Sequence, residues 1–169
     1  MSFDRHLDRP EPDLKDASSG LRPVSGLALG SEILSRHGYR AVEELRVGDD
    51  VITRDRGLCR IREITTQRHR SRLVRFRRDA LGEDMPDQDL LLPARQAVLV
   101  RDWRAQALFQ RHEARVAAAN LIDGQFITDA GMVEQDWVQI WLDAPSVLYL
   151  RGLEVLSAHG FDTQMQPVI

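Results

Sequence analysis

The chain has 169 residues, 43% of them hydrophobic and 29% charged, which fits one soluble globular domain flanked by tails. A formal net charge of −3 gives no overall attraction to nucleic acid or to anionic membranes. A single cysteine, Cys59, excludes an internal disulfide framework and a thiolate metal cluster. No apolar run approaches membrane-spanning length, and the opening MSFDRHLDRPEPDLKD lacks the apolar centre of a signal peptide, so the default expectation is a cytoplasmic protein. Lys15 is the only lysine among 23 cations, a bias better attributed to codon usage than to a recognition surface.

Residues 1–23 are polar, charged and broken by Pro10, Pro12 and Pro23, and read as a flexible tail. From residue 24 to 158 short apolar stretches alternate with Gly, Asp or Pro punctuation, the pattern of an all-β domain; 159–169 reads as a second tail. Asp50–Arg54 and Leu58–Thr66 flank Asp55-Arg56-Gly57 and predict a hairpin. Arg72–Arg78 predicts a strand with Val74 and Phe76 on the buried face and Arg75 and Arg77 on the other. A polar loop, Gly82–Asp89, precedes two half-strands around Pro93 within LLLPARQAVLV. Trp103–Arg111 is the one short helix, with Ala105, Leu108 and Phe109 available for packing. Val133–Leu142 alternates, placing Val138, Ile140 and Leu142 opposite Gln135, Trp137, Gln139 and Trp141. The turn Asp143–Ser146 then returns Val147–Leu156 as its partner strand.

Spacing alone offers no active site. Cys59 sits among aliphatics and faces the same way as Ile61, which suits a small core residue better than a nucleophile. His6, His37, His69, His112 and His159 lie in polar or turn-like segments without metal spacing, so neither a metal nor another cofactor is implied. Glu43, Glu44, Asp49 and Asp50 could suggest a cation site, but Val47-Gly48-Asp49 has the residues of a tight reversal that those acids solvate. The arginines of Arg68–Arg78 could contact phosphates. With a negative overall charge and no stacking aromatics, a charged edge strand is the better reading.

The stretch AVEELRVGDDVITRDRG, residues 41–57, resembles the phrase P-V-E-x-L-x-x-G-D-x-V-x-T-x-D-x-G of bacterial Hint (hedgehog/intein) domains. Gly30-Ser31-Glu32-Ile33 precedes it where that family opens with Gly-Thr and an aliphatic strand. Asp79-Ala80-Leu81-Gly82 is similar to the family's Ala-Leu-Gly, and Asp89–Val100 to its D-L-x-L-S/T-P-x-H-x-V-L-L. Val138–Leu153 is similar to its closing Y-H-I-x-L-x-x-H-x-V-x-x-x-x-G-L. The resemblance covers roughly residues 24–158 and implies a mainly β, horseshoe-like fold of short strands and hairpins with one short helix. It also implies a chemistry. A Cys or Ser at the first position attacks the preceding carbonyl, and a histidine in an S/T-x-x-H element donates a proton to the departing nitrogen.

Aligned residue by residue, this chain departs from that machinery. The nucleophile position falls on Gly26, the S/T-x-x-H element on Pro93-Ala94-Arg95-Gln96, and the two closing histidines on Gln139 and Pro145. Glutamine hydrogen-bonds but transfers no proton near neutral pH. The resemblance therefore implies a Hint domain without autoproteolysis, acting as a binding or scaffold module through a cleft lined by Gly26, Pro93, Gln96 and Gln139. The partner is left open, a protein being the first candidate, with no membrane role. Two rivals stand beside it: residual self-cleavage with Ser25 as nucleophile after a one-residue slip, and a nucleic-acid-associated protein using the Arg68–Arg78 face.

Overall fold

The computed structural model describes residues 25–158; both expected tails, and Val24, lie outside the described residues. Among the described residues twelve strands alternate with little else: β1 Leu27–Ala28, β2 Glu32–Ser35, β3 Gly38–Ala41, β4 Asp50–Thr53, β5 Gly57–Arg60, β6 Glu63–Phe76, β7 Leu90–Pro93, β8 Ala97–Val100, β9 Ala114–Ala117, β10 Ile127–Trp141, β11 Val147–Leu150 and β12 Leu153–Leu156. They form two antiparallel sheets. One runs β1-β10-β6-β7; the other runs β3-β2-β4-β11-β12-β8-β9, with β5 added on β4.

The alternation around Phe76 does what the sequence predicts: Val74 and Phe76 are fully buried while Arg75 and Arg77 are exposed. The boundaries differ. Leu58–Thr66 is not one strand, because Ile61 buries completely at a break and the two parts join different sheets. Arg72–Phe76 is not a separate or an edge strand but the end of the 14-residue β6, which pairs with β10 on one side and β7 on the other; Arg77 and Arg78 lie beyond it. That strand pairs along its length with the 15-residue β10, from Phe76 opposite Ile127 to Glu63 opposite Trp141. A register shift between Asp129 and Met132 accommodates one irregularity there, and the Asp129 side chain accepts a hydrogen bond from the Gly131 amide (2.8 Å).

Val147–Leu156 does not return along Val133–Leu142. It splits at Arg151-Gly152 into β11 and β12, which pair with each other, Leu148 opposite Val155. Both central turn residues have positive φ, 47° and 91°, the geometry of a tight two-residue hairpin. A Cβ on Gly152 would lie 2.0 Å from the Asp84 carbonyl oxygen, so the polar loop 82–89 packs against a position that only glycine fits. The Asp87 amide and carboxylate both bond Arg151, at 2.8 and 3.1 Å, and clasp that loop to the hairpin.

The helix α1, Trp103–Phe109, starts where Asp102 accepts the Arg104 amide (2.9 Å) and stops at Gln110, which turns left-handed at φ 54°. Ala105 packs inward and Phe109 partly so, but Leu108 is 49% exposed, against expectation. One apolar cluster joins both sheets, with Ile33, Val51, Leu92, Val98, Leu150 and Leu153 shut off from solvent. Trp137, expected on the polar face of β10, is also fully buried; its indole N–H reaches the His69 carbonyl at 3.2 Å. Glu154 is buried as well, held by both oxygens on Arg101 (2.8 and 2.5 Å) with Arg54 at 3.4 Å, so its charge is paired.

Candidate functional site: the Ser25–Gly26 peptide

The short strand β1 runs antiparallel to β10 with Leu27 opposite Val138, which lays Ser25 and Gly26 beside Gln139. Between the two sheets, the chain leaves β7 at Pro93 and turns toward β8, the Gln96 amide bonding the Pro93 carbonyl (3.0 Å). That turn delivers the Gln96 side chain to the same place. Gln96 is buried, and its Oε1 accepts the Gly26 N–H at 2.8 Å. Its Nε2 donates to the carbonyls of Ala97 (3.0 Å) and Leu156 (2.9 Å). Two carbonyl acceptors on the nitrogen and one N–H donor on the oxygen fix the amide in this orientation; flipping it would break all three.

Gln139 grips the other face of the same peptide. Its Nε2 donates to the Ser25 carbonyl (3.2 Å), and its Oε1 accepts from the Thr65 hydroxyl (2.9 Å). The Trp141 indole N–H in turn donates to that hydroxyl (2.9 Å), so the Thr65 proton points at Gln139. Trp141 to Thr65 to Gln139 to Ser25 is one directional chain. Thr65 and Trp141 escaped the sequence reading; the signal available was that Gln139 and Trp141 share a face of β10.

The space left is small. The crevice lined by Ser25, Gly26, Gln96 and Gln139, among others, has a volume of about 10 Å³, at the lower limit for one water molecule. Gly26 itself sits at φ +135°, which side-chain-bearing residues rarely adopt. A Cβ there would meet the Val138 carbonyl oxygen at 3.0 Å and the Trp137 Cβ at 3.3 Å. The structure thus brings Gly26, Gln96, Gln139 and Ser25 together. It does not bring Pro93, which is buried opposite Leu73 and shapes the turn rather than lining the crevice, nor Pro145, exposed beyond β10.

The other candidates fall elsewhere. Cys59 is half-buried against the core, its thiol 3.6 Å from the Thr53 hydroxyl. His37 and His112 are exposed and His69 is half-buried beside Gln67 (3.2 Å); His6 and His159 lie outside the described residues. The acids near Gly48 build turns: Asp49 accepts the Arg46 amide (2.9 Å) and Glu43 accepts the Gly30 amide (2.8 Å). Among the described residues no group of three or more His, Cys, Asp or Glu side chains converges as metal ligands would. On the Arg68–Arg78 face, Arg68 lies 3.4 Å from Asp136 and Arg72 2.5 Å from Asp129, each an ion pair across the β6–β10 ladder. Among the described residues no helix is long and apolar enough to cross a membrane.

Two antiparallel sheets that meet over the peptide at the start of the described chain define an intein-type β-domain. The chain belongs to the Hint domain family, whose model matches residues 25–161. In structure it is similar to a bacterial intein-like domain from Clostridium thermocellum, with 14% identity and a TM-score of 0.53 over 80% of this chain and 99% of that one. It is similar also to the MchDnaB-1 intein (14%, TM-score 0.51, covering 78% and 99%) and the gp41-1 intein (11%, TM-score 0.50, covering 80% and 99%). No curated protein matches the chain in sequence.

Proposed function

We propose that this Hint domain does not cut its own backbone and serves as a binding or scaffold module. The observation that carries the reading is the 2.8 Å contact between the Gly26 N–H and Gln96 Oε1. An acyl shift at Ser25–Gly26 needs a proton delivered to that nitrogen, and Gln96 presents a lone pair there instead. Gly26 also supplies no nucleophile to attack the Ser25 carbonyl, which its neighbour Gln139 holds in place. The Arg68–Arg78 alternative is weakened because Arg68 and Arg72 already pair with acids on β10.

The purified chain is expected to keep its full mass through prolonged incubation with dithiothreitol or hydroxylamine, read by intact-mass spectrometry. In an active domain those nucleophiles intercept the thioester or ester and release the preceding segment. Gly26→Cys alone should stay intact too, since nucleophile and acid act as a unit and the new side chain is strained at this φ. Adding Pro93→Thr and Gln96→His is the combination that could restore slow thiol-dependent release. Cleavage of the parent chain between Ser25 and Gly26 overturns the inactive reading. Cleavage one residue earlier points to Ser25 as nucleophile.

A further inference from the structure

Three segments far apart in sequence meet at one concave surface near the β4–β5 hairpin. The turn after β2 brings Arg36, the hairpin and its exit bring Arg56, Arg60 and Arg62, and the turn after β10 brings Asp143. With Asp50 they line a basin of about 490 Å³, floored in part by Leu58, which is 52% exposed. Four guanidiniums face two carboxylates in a chain whose net charge is −3. This local excess is the reverse of the global balance.

Each guanidinium is tethered at one edge and open at the others. Asp50 lies between two of them at ion-pair distance, Arg60 at 3.5 Å from one oxygen and Arg36 at 3.6 Å from the other. Asp143 takes Arg62 in a two-point contact of 2.7 and 3.1 Å. Arg56 rests on the Ala144 carbonyl at 3.4 Å. A guanidinium has five N–H donors, so a contact on one side leaves most of its donors facing the basin or solvent. Guanidiniums that are paired on one side and hydrated on the others, gathered around a concavity, match a ligand with several anionic oxygens that can replace that water. The arginines on the β6–β10 ribbon differ: they lie along an open ladder, not around a concavity.

We propose that this basin is a phosphate-binding site, taking a ligand with two or more linked phosphates. The proposal does not rest on the cleavage reading, because the basin shares no residue with the Gly26 crevice. Such phosphates could belong to a free diphosphate or to a nucleic-acid backbone, and two probes separate these sources. Sodium pyrophosphate titrated calorimetrically into the full chain at low salt should bind saturably, one per chain, and weaken as salt is added. Arg56→Gln and Arg60→Gln should each lower that affinity about tenfold, with unchanged unfolding midpoints. The pair Arg75→Ser with Arg77→Ser, on the ribbon, should leave it unchanged. Should Arg60→Gln perturb folding through Asp50, Arg56→Gln, tethered only to a carbonyl, decides. A short single-stranded oligonucleotide that binds in parallel, and loses affinity with the same basin variants, identifies the source as nucleic acid. Absence of saturable pyrophosphate binding, equal losses in the ribbon variant, or oligonucleotide binding without pyrophosphate binding each overturn the site.

Discussion

The crevice at Gly26 and the arginine basin on the β4–β5 hairpin are both polar, yet they have opposite hydrogen-bond balances. In the crevice the donors and acceptors of Gln96 and Gln139 are turned on the chain itself, around a space with room for about one water. In the basin four guanidiniums are held by single edges around about 490 Å³. A polar cluster that satisfies itself stiffens a fold; one whose donors face water can exchange that water for a ligand. As proposed, the place where the family resemblance puts chemistry serves as a joint between sheets, and the place it leaves unmarked serves as a receptor.

The sharpest way to break that contrast is to remove the joint. Gln96→Leu keeps the volume and deletes three buried hydrogen bonds, to the Gly26 N–H and to the Ala97 and Leu156 carbonyls. Unpartnered buried groups are costly, so chemical denaturation should show a loss of about 3 kcal/mol. A loss below about 1 kcal/mol would mean that the crevice admits water and is no joint.

Gly26→Ala probes the same joint from its backbone side. The substitution forces a side chain into φ +135° with the Val138 oxygen at 3.0 Å, and should cost about 2 kcal/mol by denaturation. A neutral outcome would show that β1 shifts easily against β10.

Much of this architecture was legible in the sequence, and the misses have physical causes. The apolar positions of Trp103–Arg111 marked the short helix, and the Val74/Phe76 alternation marked a strand with one buried face. The family resemblance put Gly26, Gln96 and Gln139 in one site, and the structure brings them together; Pro93 and Pro145 fall outside it. The unity of β6 was hidden because Glu63–Arg70 forms a ribbon with no fully buried face, so charged and polar residues occupy both sides and erase the period of two. The β11–β12 turn did carry a signal, since Arg151-Gly152 between apolar runs is a two-residue hairpin loop. Glu154 in the apolar run LEVL likewise announced a buried charge needing a partner. The basin could not be read at all: Arg36, Arg56 and Asp143 are joined only by the fold.

The smallest expected effect sharpens the basin side of the contrast, because its sign opposes that of the arginine variants. Arg62 hydrogen-bonds the charged form of Asp143 and, with help from Arg56, holds its carboxyl below the usual aspartate range. At neutral pH Asp143 is therefore ionised and subtracts one charge from the basin. Asp143→Asn removes that charge and keeps a carbonyl that can still accept from Arg62. Pyrophosphate should then bind about two- to threefold more tightly, the scale of one screened charge a few ångströms away. Stability should hardly move, since the pair is exposed and such pairs contribute little. The sign with pH follows from the lowered value. The small stabilisation that Asp143 gives is fully present above the ordinary aspartate value and fades as pH falls through the lower folded one, so the small gap between parent and variant in thermal unfolding should stay constant between pH 5 and 8 and close only in acid. A weaker pyrophosphate affinity in Asp143→Asn would show that Arg62 needs the carboxylate to stay in place, and that tethering outweighs net charge at this surface.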